Sequence, residues 1–156
     1  MAKVIHLKKD EYSFEKEIAE LTDLCKEDLV SVNTIILDKL DSNVPLVQEV
    51  GKYLILSGGK RLRPLLTVSS YHMTNNAGID KENNMNKIGL AAAVEFIHTA
   101  TLLHDDVIDE SKQRRGKPTA NEKWKNKTSV LVGDFLFSRA FQLMTKYGNS
   151  ETLKIL

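Results

Sequence analysis

The 156-residue sequence has one cysteine, Cys25. A lone thiol excludes an internal disulfide framework and fits a reducing compartment. It has almost no excess of either charge: 22 Lys and Arg against 21 Asp and Glu, a net charge of +1. No global field argues for nucleic acid, so any anion site must be a local cluster. It has no apolar run of membrane-spanning length, and the opening "MAKVIHLKKDEY" has no apolar core of signal-peptide length. These absences predict a cytoplasmic protein with at most peripheral membrane contact. Alternating strand patterns, internal repeats and low-complexity tracts are also missing.

What is present reads as helix. Hydrophobic residues make up 42% and charged residues 28%, enough for one globular domain with a real core. In "SFEKEIAELTDLCKEDLVSVNTIILDKLD" the apolar positions Ile18, Leu21, Leu24, Cys25, Leu29, Val32, Ile35 and Ile36 recur at steps of three and four, which predicts one continuous helix. "NVPLVQEVGKYLILSGG" places Pro45 at a helix start and Gly58-Gly59 as its stop. A short helix follows from near Pro64 to about Met73. After the turn-rich "TNNAGIDKENN", Asp80 is positioned to cap a long helix running into "HDDVIDE". "SKQRRGKPT" reads as a loop and "ANEKWKN" as a short helix. "SVLVGDFLFSRAFQLMTKYG" reads as a long helix ending at Gly148. "NSETLKIL" opens another, capped by Asn149 or Ser150, and predicts a domain cut short at its C-terminal side. The fold class is all-α, a bundle of long, mostly antiparallel helices.

Chemistry concentrates in "LLHDDVIDESKQRRG", residues 102–116. Val94, His98, Thr101, Asp105 and Asp109 share one helical face by spacing, so Asp105 and Asp109 stack one turn apart. Asp106 points about 100° away. Stacked carboxylates repel, and a divalent cation reverses that sign. Hard oxygen ligands favour Mg²⁺, which keeps waters and takes substrate phosphates. The plain alternative is a solvated helix end, but acidic residues there oppose the macrodipole.

Two basic clusters accompany the aspartates. "SGGKRLRP" offers Lys60, Arg61 and Arg63 beside flexible glycines, a plausible anion site without Walker spacing. Arg114 and Arg115 follow the aspartates directly and suit bidentate phosphate recognition. Metal-binding carboxylates and two basic clusters together describe a pocket for two phosphorylated groups, with the apolar helix as its wall.

"GGKRLRP", then "HTATLLHDDVIDESKQRRGKPTAN", then "SVLVGDFLFSRAFQ" resemble the trans-type polyprenyl diphosphate synthases, most of all the long-chain members. The resemblance runs from about residue 15 onward and covers the N-terminal half of such an enzyme, so that 1–156 form part of one prenyl synthase domain. It implies an isoprenoid synthase fold and condensation of isopentenyl diphosphate with an allylic prenyl diphosphate. It implies that Asp105, Asp106 and Asp109 form the first aspartate-rich motif, with Asp105 and Asp109 on Mg²⁺. Lys60, Arg63, His98 and Arg115 correspond to isopentenyl-diphosphate ligands, and Arg114 to an allylic-diphosphate contact. Thr101 and Ala100, four and five positions before Asp105, take the place where bulky aromatics limit product length, and Ile97 and Val94 lie further along the same tunnel. Thr101 and Ala100 are small here, which points to a long product. A homodimer is implied, and the second aspartate-rich motif of a complete enzyme is missing, so the isolated chain is expected to be inactive.

Rival readings are weaker. "EFIH" (Glu95 to His98) is one Glu-x-x-His pair, whereas a di-iron carboxylate bundle needs two such pairs and two further glutamates. A non-catalytic partner subunit has no reason to keep the aspartates and the basic ligands together. His104-Asp105 reads "HD", as in a phosphohydrolase, but its other ligands cannot be placed. Asp134, Trp124, Cys25, His6, His72 and His104 are read mainly as packing or second-sphere residues.

Overall fold

The computed structural model describes residues 13–56, 59–74 and 81–156. His6, Gly58 and Asp80 lie outside the described residues. Among the described residues the chain forms eight helices, in order α1 (Phe14–Leu24), α2 (Lys26–Lys39), α3 (Pro45–Leu56), α4 (Leu62–Thr74), α5 (Lys81–Ile108), α6 (Ala120–Trp124), α7 (Asn126–Tyr147) and α8 (Ser150–Ile155). A two-stranded hairpin, β1 (Gln113–Arg114) and β2 (Lys117–Pro118), separates α5 from α6.

The first helical stretch departs from expectation. It bends at Cys25, where φ is −97° and ψ is 10°. Backbone bonding continues across the bend, from Cys25 N–H to Leu21 O at 3.1 Å and from Leu29 N–H to Cys25 O at 2.9 Å. Burial explains the change of direction. Nothing on α1 is buried, whereas Cys25, Val32 and Ile36 go into the core. The bend turns α2 inward and leaves α1 on the outside. Burial also pushes the Cys25 thiol up from its ordinary value, so it stays protonated and inert.

α5 is the axis of the bundle. Its 28 residues span roughly 42 Å. It packs mainly against α7, with α4 and α2 on other sides. Ala91, Ala92, Ala93 and Ala100 are wholly buried, which lets the neighbouring backbones come close. Gly133 accepts the His104 ring and Gly89 accepts the Tyr147 ring, since a Cβ at either would lie 2.2 Å and 2.1 Å from ring atoms. The late part of α5 therefore meets the early part of α7, and the reverse, so the pair runs antiparallel. On α7 the buried set Ser129, Val132, Gly133, Leu136, Ala140, Leu143 and Met144 repeats at helical spacing. Ser129 Oγ–H donates to Leu103 O at 3.1 Å inside that contact.

A charge cluster built on the buried Lys87 joins α2, α4 and α5. Lys87 Nζ donates to Asp28 Oδ2 at 2.7 Å, and His72 Nε2 stands 2.6 Å from the same oxygen. Burial works to raise the Asp28 carboxyl, but the hydrogen bonds from Lys87 and His72 outweigh it and hold it below the usual carboxylate range. His72 thus has a structural task that its sequence context did not reveal.

Helix ends follow local chemistry. Pro45 opens α3, as expected. Asn149 caps α8, its side chain accepting from Thr152 N–H at 2.8 Å. α7 stops at Gly148, in extended backbone with φ −98° and ψ 173°. No helix among the described residues is long and apolar enough to cross a membrane.

Candidate active site

The C-terminal end of α5 is closed by its backbone. Glu110 takes the left-handed conformation, φ 50°. Ser111 N–H reaches back to Asp106 O at 2.9 Å and Glu110 N–H to Val107 O at 3.3 Å, the paired bonds of a Schellman cap. Asp105 and Asp109 stand at this end, both exposed. They are one turn apart, with Asp109 N–H bonded to Asp105 O at 2.8 Å. Neither carboxylate has a hydrogen-bond or ion-pair partner among the described residues. Oxygen-only donors and solvent access fit a hard divalent ion that keeps part of its water shell. Two carboxylates fill only part of six-fold coordination. Among the described residues no group of three or more His, Cys, Asp or Glu is arranged to hold a metal.

Asp106 does something else. It is 1% exposed, and Arg114 grips it. Arg114 Nη2–H donates to Oδ1 at 2.8 Å, and Nε–H stands 3.1 Å from Oδ1 and 3.3 Å from Oδ2. The hydrogen bond to Asp106 raises the Arg114 guanidinium further, with Asp105 and Asp109 adding to it. Asp106 faces inward and the other two face out, as its 100° offset requires.

The segment read as a loop contains the hairpin. Gln113 pairs with Pro118 and Arg114 with Lys117. Arg115 and Gly116 form its two-residue turn, with φ 51° and 75°. Two consecutive left-handed residues define a type I′ turn, whose twist matches the strands. Periodicity could not show strands of two residues each. The hairpin is tied down by Thr119 Oγ1–H to Ser111 O at 2.6 Å and by Tyr53 O–H to Pro118 O at 2.8 Å.

Between the hairpin, α5 and the start of α4 lies a pocket of about 570 Å³. It brings together Lys60, Arg63, His98, Arg114 and Arg115. Glu95, His98, Thr99, Leu102 and Asp106 form its α5 wall. The wall corrects the face deduced from spacing. His98 turns into the pocket with this stripe, while Asp105 and Asp109 do not line it. Burial, then the nearby Arg63, lowers the His98 imidazole, with Arg115 and Arg114 adding to the effect and Glu95 opposing it. A neutral His98 is an N–H donor at neutral pH. Lys60 is exposed, its Nζ 6.0 Å from the Phe14 ring centre. A methyl on Gly59 would stand 3.0 Å from Arg115 Nη1, so the glycine seats that guanidinium at the pocket rim.

The four proposed length-setting residues do not line this pocket. Ala100 is wholly buried in the core, and Ile97 packs against the core. Val94 and Thr101 are half-buried. Thr101 Oγ1–H donates to His98 O at 2.8 Å. His104 sits against Gly133, its Nε2 3.2 Å from Val130 O and 3.5 Å from Asp134. Trp124 packs edge-on to Tyr53, ring centres 5.0 Å apart. The sequence placed Arg61 among the anion-site cations and Glu95 only in the di-iron rival, yet the two are ion-paired inside the pocket wall.

The described residues thus form a helical bundle with a cation-lined pocket beside two exposed helix-end carboxylates. The family described as polyprenyl synthetase matches residues 44–156, and the chain belongs to it. It is 45% identical over 139 residues to the octaprenyl diphosphate synthase of Escherichia coli K12, covering 89% of this chain and 41% of that protein. It is 42% identical over 128 residues to a geranyl-diphosphate-specific all-trans-nonaprenyl-diphosphate synthase of Rhodobacter capsulatus, covering 82% and 38%. Among solved structures, a polyprenyl synthase from Caulobacter crescentus CB15, complexed with calcium and isoprenyl diphosphate, superposes with a TM-score of 0.81 at 46% identity. The match covers 88% of this chain and 40% of that one. The chain thus spans about two fifths of the length of these relatives. The structural neighbours share the expected all-helical fold.

Proposed function

We propose that this chain carries the diphosphate-binding pocket and the first metal-binding carboxylates of a long-chain trans-polyprenyl diphosphate synthase. One observation carries the reading. Lys60, Arg63, His98, Arg114 and Arg115, drawn from a loop, two helices and a hairpin, converge on a single pocket. Arg114 is paired with Asp106, but Lys60, Arg63 and Arg115 add further positive charge to the same pocket, which a bound anion would offset. Isopentenyl diphosphate is the occupant proposed, held by Lys60, Arg63, His98 and Arg115.

Asp105 and Asp109 are proposed to hold Mg²⁺, with the remaining positions left to water and to the diphosphate of the allylic substrate. When bound, the ion neutralises the departing diphosphate, so that the allylic carbon–oxygen bond can break. The chain's own residues do the rest. The basic cluster orients isopentenyl diphosphate so that its double bond faces the allylic carbon. The new carbon–carbon bond forms there, and a proton leaves to the released diphosphate. Leu102 and the apolar body of α5 limit water near the cation. Arg114 starts from its pair with Asp106, so its part in binding the allylic diphosphate is to meet a phosphate oxygen with the Nη1 edge that the pair leaves over. The small Ala100 and Thr101 support a long product, in line with the names of the relatives. Homodimer formation and a cytoplasmic site belong to the same proposal.

Calorimetric titration of an allylic diphosphate into the 156-residue chain, with and without Mg²⁺, tests the metal assignment. Binding is expected to strengthen with Mg²⁺ and to lose that dependence in Asp105→Ala with Asp109→Ala. Metal-independent binding, or Mg²⁺ dependence that survives the double substitution, contradicts the assignment.

A further inference from the structure

We infer that Arg61 and Glu95 are a positioning pair, an internal clamp that sets where Lys60 and Arg63 stand relative to His98. The inference rests on the diphosphate reading of the pocket and adds two residues to it.

Arg61 occupies an unusual backbone position. Its φ is 48°, left-handed for a residue with a side chain. Its carbonyl nonetheless starts α4, accepting from Leu65 N–H at 3.0 Å. Such a conformation persists where surrounding contacts hold it. The side chain supplies them. One guanidinium nitrogen pairs with Glu95 Oε1, and Nη2–H donates to Ile55 O at 2.8 Å. Three elements are joined: the end of α3 through Ile55, the turn before α4 through Arg61, and α5 through Glu95. The side chains are 22% and 11% exposed, so water screens the pair little.

The geometry has a direct consequence for the pocket. Lys60 precedes Arg61, and Arg63 follows two residues on. Glu95 lies one helical turn before His98, on the same wall. Fixing Arg61 to Glu95 therefore fixes the spacing between the loop cations and the α5 imidazole. The pair also settles the charge balance. Arg61 is already neutralised, so it serves as a strut and leaves anion binding to its neighbours. An Arg61 that bound the anion itself would have no reason to spend its fork on a buried carboxylate and a backbone carbonyl.

The two roles differ in the sign of one substitution. Glu95→Gln keeps the side-chain shape and releases a positive charge into the pocket wall. If Arg61 is a ligand restrained by Glu95, pyrophosphate binds tighter. If Arg61 is a strut, pyrophosphate binds roughly tenfold weaker, because Lys60 and Arg63 lose their register. Inorganic pyrophosphate is titrated by calorimetry into the 156-residue chain, its Glu95→Gln, Arg61→Lys and Arg61→Gln variants, and Lys60→Ala with Arg63→Ala. Circular dichroism monitors folding. Weaker binding by folded Glu95→Gln, with partial recovery in Arg61→Lys relative to Arg61→Gln, supports the clamp. Unchanged or tighter binding by Glu95→Gln overturns it while the pocket reading stands. Should Glu95→Gln not fold, Glu95→Asp keeps the charge and shortens the arm by one methylene. Weakened binding then supports the clamp, and unchanged binding overturns it. If the wild-type chain ignores pyrophosphate, or if Lys60→Ala with Arg63→Ala binds it as well, the pocket reading itself falls.

Discussion

Arg114 on the first strand of the hairpin reaches back eight residues to hold Asp106 on α5, Nη2 to Oδ1 at 2.8 Å. This pair fastens the hairpin to the helix end and places Arg115 over the pocket. It also divides three neighbouring aspartates into two tasks, one buried and structural, two exposed and free to meet a cation.

Asparagine substitutions separate those tasks. Asp106→Asn leaves Arg114 without its carboxylate and should lower stability by about 2 kcal/mol. The figure is kept modest because Arg114 retains 39% of its side-chain exposure and water can partly replace the partner. Asp105→Asn and Asp109→Asn should stay within about 0.5 kcal/mol of wild type or stabilise slightly, since each relieves repulsion at a helix C-terminus. Urea denaturation of the three variants checks the ranking. Equal losses at all three positions would contradict the division.

The lowered His98 imidazole predicts a pH effect with a definite sign. Its folded value lies below the ordinary 6.5. The unfolded chain therefore binds the proton first as pH falls. The contribution to stability is complete above about 6.5 and is lost as pH drops towards the folded value. His98→Gln should flatten the stability curve in that window. Proton NMR of the imidazole should show its titration below that of a free histidine, and an upward shift once pyrophosphate is bound. A folded-state titration at or above the ordinary value is incompatible with the burial and the arginines around it.

Gly59→Ala tests how the pocket rim is closed. The added methyl meets Arg115 Nη1 at 3.0 Å, so the guanidinium has to yield by a few tenths of an ångström. Pyrophosphate affinity should fall about two- to fivefold while the melting temperature barely moves, because the side chain that yields is flexible and exposed. A large loss of stability with unchanged affinity would show that Gly59 serves the fold instead.

The glycines on α5 and α7 should behave in the opposite way. Gly133→Ala drives a methyl to 2.2 Å from His104 Nε2, and Gly89→Ala to 2.1 Å from the Tyr147 ring. Both rings are wedged between the two main helices, so each substitution should lower stability by about 1–3 kcal/mol. Thermal denaturation followed by circular dichroism measures it. Wild-type melting in either variant would mean that the ring swings clear at no expense to the α5–α7 contact.

Much of this protein is legible in order along the chain. The 3.6-residue pattern locates α3, α4, α5 and α7, since each buries one stripe or, for α5, nearly every side. Asn149 is readable as a cap because its chemistry acts within three residues. The bend at Cys25 is not readable, because both halves keep the same periodicity and only the core decides which half turns inward. The hairpin is not readable either, being too short for alternation. Its clue was local: Arg115-Gly116 is a pair able to take the type I′ turn.

Spacing along a helix is a property of the backbone alone, so Asp105 and Asp109 could be stacked, and Asp106 set apart, before any fold was known. The rotation of that helix against its neighbours is a property of packing. α7, α4 and the hairpin set it together, and they turn Glu95, His98 and Asp106 towards the pocket while leaving Asp105 and Asp109 in solvent. The same packing gave Arg61 a carboxylate partner 34 residues away in sequence, a pairing that no local pattern encodes.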